Sequence, residues 1–483
     1  MRLCHRLRWV APAALVIAGS VQGADPPGGL KPLALHPDNP HYFLFRGKPT
    51  LLITSGEHYG AVLNLDFDYT AYLDEIQSKG LNLTRTFSGT YREDPAAFNI
   101  TDNTLAPKRY LAPWRRTDAP GGADGGKFDL QAFDEAYFAR LKDFMAKAGQ
   151  RGIVVEYVLF CPFYNENLWK INPMNAANNV NGVGRCPREE VYTLKHKDMQ
   201  AVHDAFTRKA VAELNPFDNF YFEICNEPYF GGVTLEWQAH VARVIAEAEK
   251  KLPYRHLIAQ NIANGRQKVE KPDPLVSILN FHYAHPPDTV AMNYGLNRVI
   301  GDDETGFRGR DDVLYRSEGW DFILAGGGVY SSLDYSFTPA HPAGTLREYK
   351  SPGGGSPELR RQLGILKEFM DGFEFVRMRP RNDLVRGGQV AAELGGSGGE
   401  ARTARASVRV LAEEGRAYAV YVLGGTRAEL ALELPAGTYR AEWLNTRTGR
   451  IDKAEDFTHQ GGARSLASPP YTQDIALRVR SAK

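Results

Sequence analysis

Two acidic positions carry the chemistry that this sequence offers. Glu227 closes the run "FYFEICNEP", where an aromatic, alternating stretch ends abruptly in Asn226, Glu227 and Pro228. An ionised carboxylate is costly to bury without a partner or a task. The second position is Glu304, at the end of "NRVIGDDE", where Asp302 and Asp303 are rival carboxylates. Two carboxyl groups facing across one mouth are what glycosidic cleavage needs. One gives a proton to the leaving oxygen, and the other attacks the sugar carbon or activates water. Other polar side chains end apolar runs in the same way: Glu57 and His58, Arg85, Tyr164 and Asn165, then His282, Tyr283 and His285. His282 and His285 are spaced like a metal pair, but on a strand residues three apart face opposite sides. No metal and no cofactor is expected.

These residues need elements that bring them together. Strand-like runs occur at "TLLITSGEHYG", "LNLTRTFSG", "IVVEYVLFCPF", "NFYFEICNEP", "RHLIAQNI", "LVSILNFHY", "NRVIGDDE" and "GGVYSSLDYSF". Helix-like runs alternate with them, among them "YTAYLDEIQSKG", "LQAFDEAYFARLKDFMAKAGQRG" and "PELRRQLGILKEFMDGF"; the fifth and sixth helices are poorly marked. Such alternation implies a parallel sheet, and eight units imply a closed (β/α)8 TIM barrel, α/β in class. An open doubly wound sheet usually carries a Gly-rich turn early, and no G-x-G-x-x-G follows the first strand. In a barrel the reactive groups gather at the C-terminal strand ends, and strands four and seven face across the mouth. Alternation puts Tyr221, Glu223, Cys225 and Glu227 on one face, so Arg85 can pair with Glu223 inside. The long segment from Thr90 to Lys127, with Tyr91, Tyr110 and Trp114, is expected to shape the cleft after strand two. Beyond Arg381 the pattern becomes short alternating strands with turn residues, expected as a β-sandwich.

The expected organisation is a removable leader at 1–23, a barrel at 24–381 and a sandwich at 382–483. "MRLCHRLR" is a positive start, a short apolar stretch follows, and Val21 and Gly23 suit cleavage before Ala24. That places the chain as secreted or periplasmic, with no membrane association once the leader is gone. Lys and Arg number 58 against 57 Asp and Glu in 483 residues. The balance lacks the basic excess that nucleic-acid binding requires, and a neutral partner fits better. An oxidising compartment permits one disulfide, and Cys161 with Cys186 would close a loop. "GGSGG" at 395–399 formally matches the G-x-S-x-G nucleophile elbow of a serine esterase, through Ser397, but reads better as a linker. Oligomeric state is not legible.

The residues resemble a known group. Asn226 and Glu227 in "FEICNEP", Glu304 in "VIGDDE" and Arg85 in "NLTRTF" are similar to the motif of the clan A retaining glycoside hydrolases, the cellulase-like (β/α)8 superfamily. The opening "HPDNPHYFLFRGKPTLLITSGEHYG", "GWDFILAGGGVYSS" and the tail "AEWLNTRTG" resemble the apiosidase-like subgroup, whose barrel precedes a C-terminal domain named for collagen binding. The resemblance implies a glycosidase acting on oligo- or polysaccharides of plants or microbes, without fixing the sugar. It implies Glu304 as nucleophile and Glu227 as acid, its carboxyl raised by burial and by the negative charge opposite. Arg85 and Tyr283 would attend Glu304, Asn226 the sugar 2-hydroxyl, and His58 and His282 other hydroxyls. Members usually place a His and a Tyr at alternate positions of strand six. Here His282 and Tyr283 are adjacent, so only one points inward unless a bulge intervenes. The usual strand-eight Trp is missing, leaving Tyr330, Tyr335 and Phe337. A carbohydrate-binding barrel without catalysis is the competing expectation.

Overall fold

Short apolar runs, buried on both faces, are the signature of parallel strands covered by helices. Eight such runs form one sheet: β1 (Leu52–Gly56), β2 (Leu83–Phe87), β3 (Val154–Phe160), β4 (Phe220–Cys225), β5 (Ile258–Asn264), β6 (Ile278–His282), β7 (Val299–Thr305) and β8 (Val329–Leu333). The computed structural model describes residues 30–95, 97–391 and 407–482. The expected leader and the "GGSGG" run lie outside the described residues. The strands pair in the order β1-β8-β7-β6-β5-β4-β3-β2. At the remaining seam between β1 and β2 a side chain replaces the ladder. Asn82 Oδ1 accepts from the Ile53 amide at 3.0 Å, and its Nδ2 donates to the Leu51 carbonyl at 2.8 Å. The result is a nearly closed (β/α)8 barrel.

The helices begin where the sequence supplies caps. Asp68 caps α1 (Tyr69–Ser78), Asp134 caps α2 (Glu135–Gln150) and Thr234 caps α4 (Leu235–Glu249); α3 (Lys197–Leu214) starts without a side-chain cap. No helix joins β5 to β6 among the described residues. Pro272 and Pro274 in that connection lack the amide donors a helix needs. Only a six-residue α5 (Asp288–Asn293) precedes β7. Then come α6 (Asp312–Leu324), capped by Asp311, and α7 (Pro357–Asp371), capped by Ser356 with Pro357 in its first turn.

A three-stranded antiparallel sheet of Ala34–Leu35, Phe43–Phe45 and Lys48–Thr50 plugs the end of the barrel opposite the mouth. It packs Leu33, Phe43 and Phe45 against Leu52, Leu83, Val154 and Tyr221. The segment after β2 is less irregular than its composition implies, because Trp114–Arg116 and Phe128–Phe133 pair as a small hairpin.

The C-terminal part is an antiparallel β-sandwich. A six-stranded sheet runs from Arg379–Pro380 to Asp474–Ser481 and faces a three-stranded sheet of Val385–Ala391, Arg427–Leu434 and Gly462–Ala467. Its own core includes Tyr418, Val420, Leu432, Trp443 and Leu477. The sandwich docks on α6, which explains why every residue from Tyr315 to Leu324 is buried and the helix shows no polar face. Trp320 stacks on Tyr421 with centroids 5.6 Å apart. Arg316 grips Asp474 with two hydrogen bonds of 2.6 and 3.1 Å, both side chains buried. Replacing Asp474 by Ala strands a buried guanidinium. We expect Asp474→Ala to cost about 3–5 kcal/mol of stability, read as a fall in the thermal midpoint, with most of the loss recovered when Arg316 is replaced by Met in the same chain.

Candidate active site

The floor of the barrel mouth is built on one guanidinium. Arg85, in the middle of β2, is fully buried. Its Nε and Nη2 each donate to a Glu223 oxygen at 3.0 Å, Nη2 also donates to Asn226 Oδ1 at 2.6 Å, and Nη1 donates to Glu304 Oε2 at 2.8 Å. Asp303 lies 3.4 Å and Glu156 3.9 Å from Nε. Burial pulls the guanidinium below its ordinary value, but Glu223, Asp303 and Glu304 outweigh burial and hold it well above that value. The surplus of acids raises others. Burial, only partly offset by Arg85, pushes Glu223 up to about 7. Burial, with Asp303 adding repulsion, pushes Glu156 and Asp302 well above the usual carboxylate range.

The three acids of β7 separate by position. Asp303 is fully buried beside Arg85, and only Glu304 lines the mouth cavity. A bulge makes this possible. Phe281 pairs with Asp302 and His282 with Glu304, so Asp303 is the extra residue. Tyr283 then turns into the left-handed region, with φ of 53°, while its amide donates to the Glu304 carbonyl. Adjacent His282 and Tyr283 therefore both reach the site. Tyr283 donates to Glu304 Oε1 at 2.9 Å. His282 Nδ1 lies 3.4 Å from Glu227 Oε1 and 3.6 Å from Glu304 Oε1, and its Nε2 is 3.5 Å from Asp303.

Glu227 follows β4 with φ of 36°, a strained conformation for a residue with a Cβ, of the sort that clusters at functional sites. A hydrogen-bond relay reaches it from Arg85. Asn226 Nδ2 donates to the Tyr164 hydroxyl at 2.8 Å, and that hydroxyl donates to Glu227 Oε2 at 2.6 Å. The expectation of a raised Glu227 carboxyl is corrected. Burial does push it up, but His282, Tyr164 and Asn264 outweigh burial and hold it at about 2. The proton sits instead on His282, which burial would neutralise but which Glu304 and Asp303 raise well above its usual range. One oxygen of Glu227 and one of Glu304 lie within 4.8 Å of each other.

These groups open into a cavity of about 100 Å³. His58 lines it. Burial and the neighbouring Arg85 and His282 charges depress its imidazole to about 3, so it is neutral. Of the three loop aromatics expected to shape the cleft, only Tyr91 lines the cavity. Tyr110 donates back to the Gly89 carbonyl and Trp114 packs on Phe206. Tyr335 occupies the strand-eight side, while Tyr330 and Phe337 are buried in packing. Sequence reasoning gave no role to Tyr164 and missed Glu93, Phe98, Phe307 and Leu333, all in the cavity wall. Cys161, Cys186 and Cys225 are unpaired, so the disulfide is not formed. His285 turns away toward Asp321, 3.8 Å off, and shares no site with His282. His459, needed by the esterase reading, lies in the sandwich.

Glu227, His282 and Glu304 stand close enough to hold an ion, as do Glu156, Glu223 and Asp303. In the first group Glu304 and Asp303 raise His282 well above its usual range, so an ion there would have to displace its proton. In the second, Arg85 already supplies the positive charge.

The barrel with its C-terminal sandwich superposes on solved structures described as glycoside hydrolases. A candidate glycoside hydrolase from Bacteroides vulgatus ATCC 8482 superposes with a TM-score of 0.65 at 14% identity, covering 94% of this chain and 82% of that one. A glycoside hydrolase family 5 protein from the same organism superposes at 0.61 and 13% identity, covering 93% of each chain. Another structure, described as a glycoside hydrolase, gives 0.60 at 14% identity over 94% of this chain and 97% of its own. At these identities the likeness is one of fold. No family model and no curated protein matches the chain.

The shifts carry a pH signature. Glu227 falls from its ordinary 4.5 to about 2, so its contribution to stability is complete above about pH 4.5 and is lost as pH drops toward 2. His282 is raised, so its contribution is complete below about pH 6.5 and is lost as pH climbs through its folded value. Thermal midpoints measured against pH should fall less steeply below about pH 4.5 in Glu227→Gln than in the parent. His282→Gln should lose most at about pH 6 and converge on the parent in alkali. Parallel curves in either case would contradict the assignment.

Proposed function

We propose that the protein is a retaining glycoside hydrolase acting on oligo- or polysaccharides. The observation that carries this reading is the acid pair at the ends of β4 and β7, with Glu227 and Glu304 oxygens within 4.8 Å. Retaining enzymes hold their carboxyl groups roughly 5–5.5 Å apart, while inverting enzymes leave room for a water between them at roughly 6.5–9.5 Å.

In this reading Glu304 is the nucleophile. Arg85 and Tyr283 each give one hydrogen bond to one of its oxygens, which aims the carboxylate. Glu227 is the acid, then the base. Before substrate binds, the proton rests on His282, 3.4 Å from Glu227 Oε1. A bound sugar that excludes water from Glu227 deepens the burial that already pushes its carboxyl upward, and His282 is placed to hand over the proton. Glu227 protonates the leaving oxygen while Glu304 bonds to the anomeric carbon. Glu227 then takes a proton from water, which releases the sugar and frees Glu304. Asn226, held by Arg85 and Tyr164, is placed to meet the sugar 2-hydroxyl. We also read the chain as exported, with residues 1–23 removed; the mass of the mature N-terminus tests that.

Glu227→Gln should lose about 10²–10⁴-fold on glycosides with poor leaving groups and far less on activated aryl glycosides, measured as kcat/KM. Anomeric configuration of the first product, followed by NMR, decides the role of Glu304: retention supports it and inversion would falsify it. A carbohydrate-binding barrel without catalysis would turn over none of these substrates.

A further inference from the structure

The cavity has an open side and a closed side. On the Glu227 side an aromatic row leads outward from Tyr164. Phe98 and Phe230 lie 5.2 and 5.8 Å from the Tyr164 ring, and Tyr229 continues the row at 5.0 Å from Phe230. Phe98, Tyr229 and Phe230 are all exposed. The acid protonates the leaving oxygen, so the leaving group must lie on this side. Further sugars on the retained part of a substrate would have to run the other way, over β1 toward the loops after β2 and β8. That direction is shut. Ile100, from the loop after β2, packs against Leu333, Tyr335 and Tyr349, and the Lys350 amide donates to Asp102 Oδ2 at 2.8 Å. The two loops meet above β1.

A carboxyl without a counter-charge stands at this closed end. Glu93 lines both the mouth cavity and a smaller chamber beside it, and no cation pairs with it among the described residues. Glu57 and His58 after β1, Glu304 on β7 and Asp334 after β8 surround it, with Asp94 next to it on its own loop. Among the described residues no Lys or Arg lines either chamber. Resting on the glycosidase reading above, we infer that the protein removes one neutral sugar at a time from a non-reducing end, and that Glu93 recognises that sugar by donating a hydrogen bond to a hydroxyl. A uronic acid would meet Glu93 and Glu304, and the nearest cations, Arg85 and His282, lie buried beneath the cavity and are already engaged by Glu223, Asp303 and Glu304. Burial, with Glu57 and Glu304 adding to it, pushes Glu93 up to about 8, which keeps it a donor at neutral pH.

The test uses the full chain with neutral 4-nitrophenyl glycosides, a 4-nitrophenyl glucuronide, and xylo-, cello- and manno-tetraose labelled at the reducing end. The first labelled products should be one sugar shorter, and the best neutral aryl glycoside should exceed the uronide by at least roughly tenfold in kcat/KM. Labelled products two or more sugars shorter at first turnover, or a preferred uronide, overturn the inference. Glu93→Ala should raise KM for the best monosaccharide glycoside roughly tenfold, and Glu93→Gln should recover part of that loss. The parent's KM should rise above about pH 8 and that of Glu93→Gln should not, which keeps the claim testable if the Ala variant fails to fold. An unchanged KM in Glu93→Ala, or a pH rise that persists in Glu93→Gln, overturns the role of Glu93. If the parent turns over none of these glycosides, the glycosidase reading fails instead.

Discussion

A single buried cation organises the barrel mouth. Arg85 touches Glu304 directly and reaches Glu227 through Asn226 and Tyr164, so both acids of the pair take their positions from one guanidinium. Its planar fork suits the task, because it meets Glu223 with two bonds and still has donors for Asn226 and Glu304. Burying that charge without partners would be prohibitive. The carboxylates that surround it are therefore a condition of the fold as well as of the site. Because there are more acids than cations, protons are distributed unevenly: Glu156 and Asp302 are driven toward neutrality while Glu227 stays charged against His282.

Local departures from regular strand geometry bring further groups to the same place. Alternation allows one inward side chain in two, yet Glu304 and Tyr283 line the cavity while their neighbours Asp303 and His282 are buried beside Arg85 and the acid pair. The bulge between β6 and β7 and the left-handed turn at Tyr283 make this possible, and Glu227 leaves its strand through a similar turn. Glu227 and Tyr283 thus carry left-handed backbone at the point where the polar groups converge.

Much of the fold was legible in the sequence. All eight strands were marked by short apolar runs, and the weak fifth and sixth helices proved absent and short, the first because Pro272 and Pro274 interrupt that connection. Glu227, Asn226, Arg85 and Glu304 were also legible, because a polar residue that ends a buried strand needs a partner or a task to offset its lost hydration. The loops were not. Tyr91, Tyr110 and Trp114 looked equivalent, yet only Tyr91 faces the cavity, since Tyr110 bridges Asn64 and bonds back to Gly89 while the hairpin carries Trp114 into packing. Glu93 had no signal, because its neighbours come from β1, β7 and β8.

Hydrophobic period and turn chemistry are local properties, and they are enough to specify the barrel, the sandwich and the acids at the strand ends. Three outcomes lie beyond them: which of Asp302, Asp303 and Glu304 reaches the cavity, how adjacent His282 and Tyr283 both meet the acid pair, and where the protons rest. Each depends on register between strands and on distances of a few ångströms among charges from separate parts of the chain. Electrostatic energies in a buried site change steeply over such distances, so the folded arrangement alone settles them.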